Sequence, residues 1–433
     1  MRKRLLFAFP VLLGTMLLSM GCEEKKQPSE KKADSTKVVK EKETKTVQLT
    51  PIRPTTATLF IDASASMKGY LDSGASEFPG VISAFENYAD MTELWLYGKE
   101  KIGKTTKAKD IVSYPKNEFD EMLSKRSLPW AQESNLIAMI NEMVNGKDDI
   151  SILVTDGILS GSDKQIRESP NRGYNIQQRE TMIHELFKIL QGKNKCALIV
   201  RYMSKFTGTY SCYDNSPVEL KEQERPFFVI VLGKWEPLKY LEKTLKEQQV
   251  NKASLATKYK NIYMIGDQFN TVDRLRFDVG NEENSDGKRY IPYEYADSKI
   301  NFEIVINDLP DYMQTQAYWN QNFSIETTTR NQINEEAKSV KVDESLKKVH
   351  LAIAADQLDG GEDDFELTFS LKFKQSDWIV NHSSDDDKNI KNEEQITKTF
   401  NLKYLVAGME ALNNAKGYVF KKSVKYTGRN NIN

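Results

Sequence analysis

Two apolar runs, each stopping at an aspartate, constrain this chain more than any other feature of its sequence. Residues 57–61 (ATLFI) end at Asp62, and residues 150–154 (ISILV) lead into Thr155, Asp156 and Gly157. A continuous apolar run of this length predicts a strand buried on both faces, as in a parallel sheet covered by helices. The alternation continues along the chain. Helical periodicity in SEFPGVISAFENYA places Phe78, Val81, Ile82, Phe85 and Tyr88 on one face. Strand LWLY (94–97), helix NLIAMINEMV (135–144), helix IQQRETMIHELFKIL (176–190), strands CALIVRYM (196–203) and FFVIVL (227–232), and helix LKYLEKTLKE (238–247) complete the pattern. Strands alternating with helices predict an α/β domain over about 52–250, with a doubly wound, mostly parallel sheet. Ligands of such sheets bind beyond the carboxyl ends of the strands, so the loops after 61 and 154 are the first place to look.

Charge removes several partner classes. The chain carries 61 basic and 62 acidic side chains over 433 residues, a formal net charge of -1. No basic field is available to gather phosphate backbones, so nucleic acid is not an expected partner. The 39% of hydrophobic residues is not collected into long runs, which excludes a multi-span membrane protein. Three cysteines exclude a disulfide scaffold; Cys196 and Cys212 could pair only if the fold brought them together.

The amino-terminus reads as an address. Arg2, Lys3 and Arg4 precede an apolar stretch from Leu5 to Leu18, followed by small residues and Gly21-Cys22. The stretch is too short and wrongly flanked for a permanent membrane span, and predicts a cleaved export signal over 1–22. Gly21-Cys22 resembles the end of a bacterial lipoprotein signal, although Ser19 stands where leucine is usual. The resemblance implies lipidation of Cys22 and a membrane-anchored protein of the cell envelope, outer membrane included, either periplasmic or displayed at the surface. Residues 23–51 are rich in charge and lack aromatic side chains, which predicts a flexible tether with a reach of about 30 Å.

The loop after the first strand is Asp62-Ala63-Ser64-Ala65-Ser66, and the second strand leads into a T-D-G turn. These elements resemble the metal-ion-dependent adhesion site of von Willebrand factor type A domains. That site combines a D-x-S-x-S loop, a threonine from a second loop and the aspartate of a T-D-G turn. The resemblance implies a metal site formed by Asp62, Ser64, Ser66, Ser134 and Asp156, with Ser134 in the threonine position. It implies Mg2+, or Mn2+ or Ca2+, as the ion, and adhesion to a protein or other carboxylate-bearing ligand that completes the metal shell, without enzymatic activity. The chemistry is consistent: hard divalent cations take oxygen ligands and retain some water. Asp62 and Asp156 would repel one another without a cation, so removing Asp62 is expected to spare the metal-free fold.

One rival motif is present. Gly98, Gly103, Lys104 and Thr105 satisfy a phosphate-cradling P-loop pattern after the strand LWLY, which would make the chain an exported nucleotide or phosphate hydrolase. That chemistry needs a helix beginning at the lysine, and TKAKDIVSYP has little apolar periodicity before Pro115. A third reading is a structural envelope subunit with a vestigial metal loop. His184, His350 and His382 have no metal-ligand spacing.

From about 251 to 433 the period shortens. KINFEIVI, KKVHLAIA and FELTFSLKF alternate as half-buried antiparallel strands do, predicting a mainly β, immunoglobulin-like sandwich closed by the helical segment YLVAGMEALNNA. The acidic runs Asp385–Asp387 and 360–364 lack fixed ligand spacing and read as solvated loops.

Overall fold

The first apolar run is strand β1 (Thr56–Asp62), with all but its first residue buried. In this computed structural model the described residues run from 51 to 429, with internal gaps, the longest at 108–111, 159–180, 252–255, 266–276, 280–289, 293–298, 328–337, 355–363 and 411–416. The export signal, Cys22, the tether and Lys104 lie outside the described residues, as does most of the 360–364 run.

After β1 come α1 (Ala65–Asp72), α2 (Phe78–Phe85), β2 (Asp90–Tyr97), a small hairpin of β3 (Glu100–Ile102) and β4 (Thr105–Lys107), and β5 (Val112–Tyr114). Then follow α3 (Lys116–Ser124), α4 (Leu136–Asn145), β6 (Ile150–Thr155), β7 (Cys196–Ser211), β8 (Pro217–Gly233), α5 (Trp235–Asn251) and β9 (Asn261–Ile265). Seven of these strands form one sheet in the order β5-β2-β1-β6-β8-β7-β9. The sheet is mixed. Strands β2, β1 and β6 are mutually parallel, whereas β5, β8, β7 and β9 join through antiparallel pairings. The parallel centre is what matters for the site, because β1 and β6 lie side by side and end at the same edge.

Period-2 alternation divides the apolar side chains between two cores. Leu59, Ile61, Ile152 and Val154 pack on one face with α1, α2 and α5. Phe60, Leu153, Ile199, Phe228 and Ile230 pack on the other with α4. α2 starts with a proline in its first turn and buries Phe78, Val81, Ile82 and Phe85, the predicted face.

The paired strands β7 and β8 run well past the sheet, remaining paired out to Ser211 opposite Pro217 with a shift of register between Phe206 and Gly208. Their outer halves bend over α1. A β-carbon placed on Gly69 would lie 2.3 Å from the ring of Phe206, so only glycine allows α1 and the hairpin to approach so closely. Tyr70 meets Phe206 edge to face at 5.1 Å between ring centroids.

The remainder of the chain supplies β10 (Phe277–Val279), β11 (Tyr290–Pro292), β12 (Lys299–Val305), α6 (Gln316–Asn322), β13 (Phe323–Thr327), β14 (Lys338–Asp343), β15 (Lys348–Ala354) and β16 (Asp364–Lys372). It continues with α7 (Asp377–Asn381), β17 (Ser383–Ser384), β18 (Thr399–Phe400), α8 (Leu402–Met409) and β19 (Tyr418–Arg429). Two four-stranded sheets, β10-β12-β15-β14 and β11-β19-β16-β13, share one apolar core. Leu367, Phe369 and Leu371 enter that core from alternate positions of β16, as the sequence predicts, opposite Phe302, Ile304, Val349, Leu351 and Ile353. Pairing is antiparallel except between β11 and β19.

The helical segment expected to close the sandwich does something else. Leu402, Leu405, Val406 and Met409 of α8 pack with Phe60, Leu153 and Phe228 on the second face of the central sheet. Gly408 allows this contact, since a β-carbon there would lie 2.7 Å from Leu186 Cδ1. The spacing of apolar residues makes one face of α8 sticky but does not say which sheet it covers. Strand β9 likewise joins the central sheet from beyond residue 250.

Candidate metal centre

The carboxyl ends of β1 and β6 bring Asp62, Ser64, Ser66, Ser134 and Asp156 together. Asp62 is the last residue of β1, and Ser64 and Ser66 follow as the chain turns into α1. A parallel bridge between Ser64 and Ala131 draws the loop before α4 alongside, which delivers Ser134. Ser134 Oγ donates to Asp62 Oδ2 at 2.8 Å, and Ser64 N donates to Asp62 Oδ1 at 3.1 Å. Ser64 Oγ and Ser66 Oγ are 3.0 Å apart. Hydrogen bonds to Asp62 thus join the loop after β1 to the loop before α4, and the charge of Asp62 acts on Asp156 at the end of β6.

Thr155 belongs to this network as well. Its hydroxyl donates to Asp62 Oδ2 at 2.8 Å and accepts from Gly157 N at 3.0 Å. Asp156 Oδ1 accepts from Ile158 N at 3.0 Å, a local turn that fixes the carboxylate. Gly157 sits at φ +70°, and a side chain there would meet the Phe228 ring at 3.1 Å and the Thr399 methyl at 3.6 Å. Glycine is required on both counts.

The site is sealed beneath and open at one side. Asp62, Ser64 and Asp156 are at most 2% exposed, whereas Ser66 and Ser134 are half-buried and Ala65 is exposed. Burial raises the pKa of both carboxyls, and the charge of Asp62 raises that of Asp156 further. Hydroxyl and amide donors from Ser134, Thr155 and Ser64 act in the opposite direction on Asp62. A buried pair of carboxylates with neighbouring hydroxyls is an all-oxygen donor set short of positive charge, and it fits a hard divalent cation. Asp62, Ser64, Ser66, Ser134 and Asp156 are the residues that would hold it. Among the described residues no group of three or more His, Cys, Asp or Glu side chains gathers as a metal site, and this candidate depends on hydroxyls instead.

Sequence reasoning missed the groups behind the loops. Arg225, in the outer half of β8, is 1% exposed and lies over the Tyr210 ring at 4.1 Å. Tyr210 donates its hydroxyl to Asp387 Oδ2 at 2.5 Å, and Cys212 Sγ reaches the Asp387 carbonyl at 3.4 Å. Asp387 is buried, not solvated as its acidic neighbours suggest; Asp385 pairs with Lys403 at 2.8 Å. Arg225 immediately precedes the apolar run of β8, but nothing in a stretch as charged as KEQER marks one member for burial.

Two other readings of the sequence bear on the chain path. The P-loop pattern needs a helix at Lys104-Thr105, yet Thr105 starts strand β4, which turns back on β3 with Ile102 opposite Thr105. Cys196 and Cys212 are buried and form no disulfide, and they flank opposite ends of the 16-residue strand β7, far beyond disulfide reach. No family model, curated protein or solved structure matches the chain.

Proposed function

We propose that this protein is an envelope-anchored lipoprotein with a type A domain. The domain takes up Mg2+ or Mn2+ at Asp62, Ser64, Ser66, Ser134 and Asp156 and binds a carboxylate of a protein partner through the metal. The observation that supports this best is the gathering of those five side chains from three loops, with Ser134 and Thr155 both hydrogen-bonded to Asp62, the Ser64 and Ser66 hydroxyls 3.0 Å apart, and Asp156 next in the chain to Thr155. The half-buried Ser66 and Ser134 mark the side from which a partner's carboxylate would complete the coordination shell. A bound divalent cation supplies an electrophilic site for that carboxylate; the residues of the loops supply its position. Only two carboxylates contribute, so the cation keeps part of its charge for the partner.

Titration calorimetry with Mn2+ and Mg2+ tests the proposal. The wild-type protein is expected to show one saturable site, and Ser134→Thr is expected to bind as tightly or tighter, because the added methyl restricts the hydroxyl rotamer. Absence of binding heat, confirmed by an unchanged melting temperature in excess metal, rejects the metal site. The anchor is tested separately. Cys22→Ala is expected to move the protein from the detergent phase to the aqueous phase or to leave it uncleaved, since the charged tether has no membrane affinity of its own. Unaltered partitioning would rule the anchor out.

A further inference from the structure

Arg225 is out of place for a surface-type residue on a hairpin that extends past its sheet. It is 1% exposed, lies 4.1 Å over the ring of Tyr210 and 5.8 Å from the ring centroid of Phe206, and its Nη1 has no hydrogen-bond acceptor among the described residues. A guanidinium cannot neutralise itself by losing its proton, so the charge stays in the interior. Burying it is costly unless negative charge lies within reach. Arg225 lies on β8 three residues before Phe228, which pairs with Thr155 beside Asp156, and the Asp156 carboxylate is within electrostatic reach of the guanidinium; Tyr70, on the helix that grows out of the D-x-S-x-S loop, donates its hydroxyl to the carbonyl of the adjacent Pro226 at 2.5 Å. Tyr210 is itself fixed by Asp387, so the arginine is held from the side of the 383–400 segment as well as from α1.

We propose that Arg225 is a built-in counter-cation for the two-carboxylate site and that its fixed charge sets the affinity for divalent metal low enough for the ion to exchange. The inference rests on the metal reading above and adds a positioning residue to it. A cation entering between Asp62 and Asp156 is attracted by both carboxylates and repelled by the guanidinium. In an interior that screens far less than water, that repulsion survives across several ångströms. Without metal, the same charge offsets part of the repulsion between the carboxylates, so the empty loops remain folded. The arginine therefore works in both states, stabilising the metal-free form and weakening the metal-bound one.

The test compares the full-length protein with Arg225→Met, which removes the charge and keeps the bulk, and Arg225→Lys, which keeps the charge. Titration calorimetry with Mn2+ is expected to give at least about tenfold tighter binding for Arg225→Met, and a constant within about threefold of wild type for Arg225→Lys. The metal-free melting temperature of Arg225→Met is expected to fall and to recover in saturating Mn2+. A residue that merely packs would lower the melting temperature without tightening metal. Should Arg225→Met fail to fold, Arg225→Gln carries the same expectation. If wild type binds metal and the neutral variants bind it equally or more weakly, the counter-cation role is overturned and the metal site stands. If wild type shows no binding and a neutral variant does, Arg225 suppresses the metal outright, which supports its role and rejects metal binding by the native chain. If none of them binds, both proposals fall.

Discussion

If Mg2+ or Mn2+ binds as proposed, Asp62→Asn is expected to abolish the stabilisation it gives while leaving the metal-free protein at least as stable at neutral pH. A ligand that binds only the folded form stabilises it by mass action, about 2.7 kcal/mol when free metal exceeds its dissociation constant a hundredfold. Asparagine removes the charge that attracts the cation but keeps an oxygen to accept from the hydroxyls of Ser134 and Thr155, which both bond Asp62 Oδ2. It also relieves the repulsion with Asp156. Asp62→Ala should lose the metal effect equally, but at a cost to the metal-free fold. Ser134 Oγ, Thr155 Oγ1 and Ser64 N would all lose their acceptor, at about 1–3 kcal/mol for a buried group left unpaired. Judged from the sequence, relief of charge repulsion decides the matter and alanine looks harmless; two buried donors and the half-buried Ser134 hydroxyl reverse that balance. Thermal melts with and without metal check both variants. A metal-dependent rise in Asp62→Asn equal to that of wild type would show that the cation, if bound, sits elsewhere.

Glu410→Gln is expected to flatten the pH dependence of stability between about pH 5 and 8 and to make the protein more stable at the upper end. Glu410 ends α8 and is 1% exposed; its carboxylate accepts from the Tyr263 hydroxyl and, at 2.8 Å, from Gln375 Nε2. Burial pushes its pKa up to about 7. The folded-state value thus lies above the ordinary 4.5, so between the two the unfolded chain has released a proton that the folded protein retains. Stability consequently declines as pH rises through that window, by about 3 kcal/mol in total, and levels off above it. Glutamine cannot ionise and keeps an acceptor for Tyr263, while Gln375 can turn its amide to suit. Urea unfolding at pH 5 and pH 8 measures the effect. An equal slope in both proteins would mean that Glu410 is already ionised in the fold or relaxes to water.

This group also ties the two halves of the chain together. Tyr263 comes from the edge strand β9, and its hydroxyl lies 3.1 Å from that of Tyr312, which donates to the carbonyl of Lys374 beyond β16 at 3.1 Å. If Glu410 titrates in the fold as the pH prediction requires, the attachment between sheet and sandwich weakens as pH rises.

Much of the local structure was legible before any coordinates. Continuous apolar runs marked β1 and β6, and alternation marked β15 and β16, because burial on two faces or one face leaves a period in the residues themselves. The short helix α1 was not legible. Its burial of Met67, Gly69, Tyr70 and Leu71 comes from the β7–β8 hairpin folded across it, not from a strong apolar stripe of its own. The length of that hairpin was also hidden, since the outer half of β8 is mostly charged and exposed and the pairing is interrupted between Phe206 and Gly208.

By itself the sequence determined which residues could serve a hard cation: Asp62, Ser64 and Ser66 share one loop, and their spacing is a local property that survives any packing. It also determined that strand ends would present that loop and Asp156, because apolar runs end where the acidic residues begin. Only the tertiary structure decided that Ser134 and Thr155 both turn to Asp62, that Arg225 and Asp387 are buried behind the site, and that α8 covers the central sheet. Periodicity records how much of a segment avoids water. The partner that keeps water away comes from residues far along the chain, and a charge changes its meaning once that partner arrives.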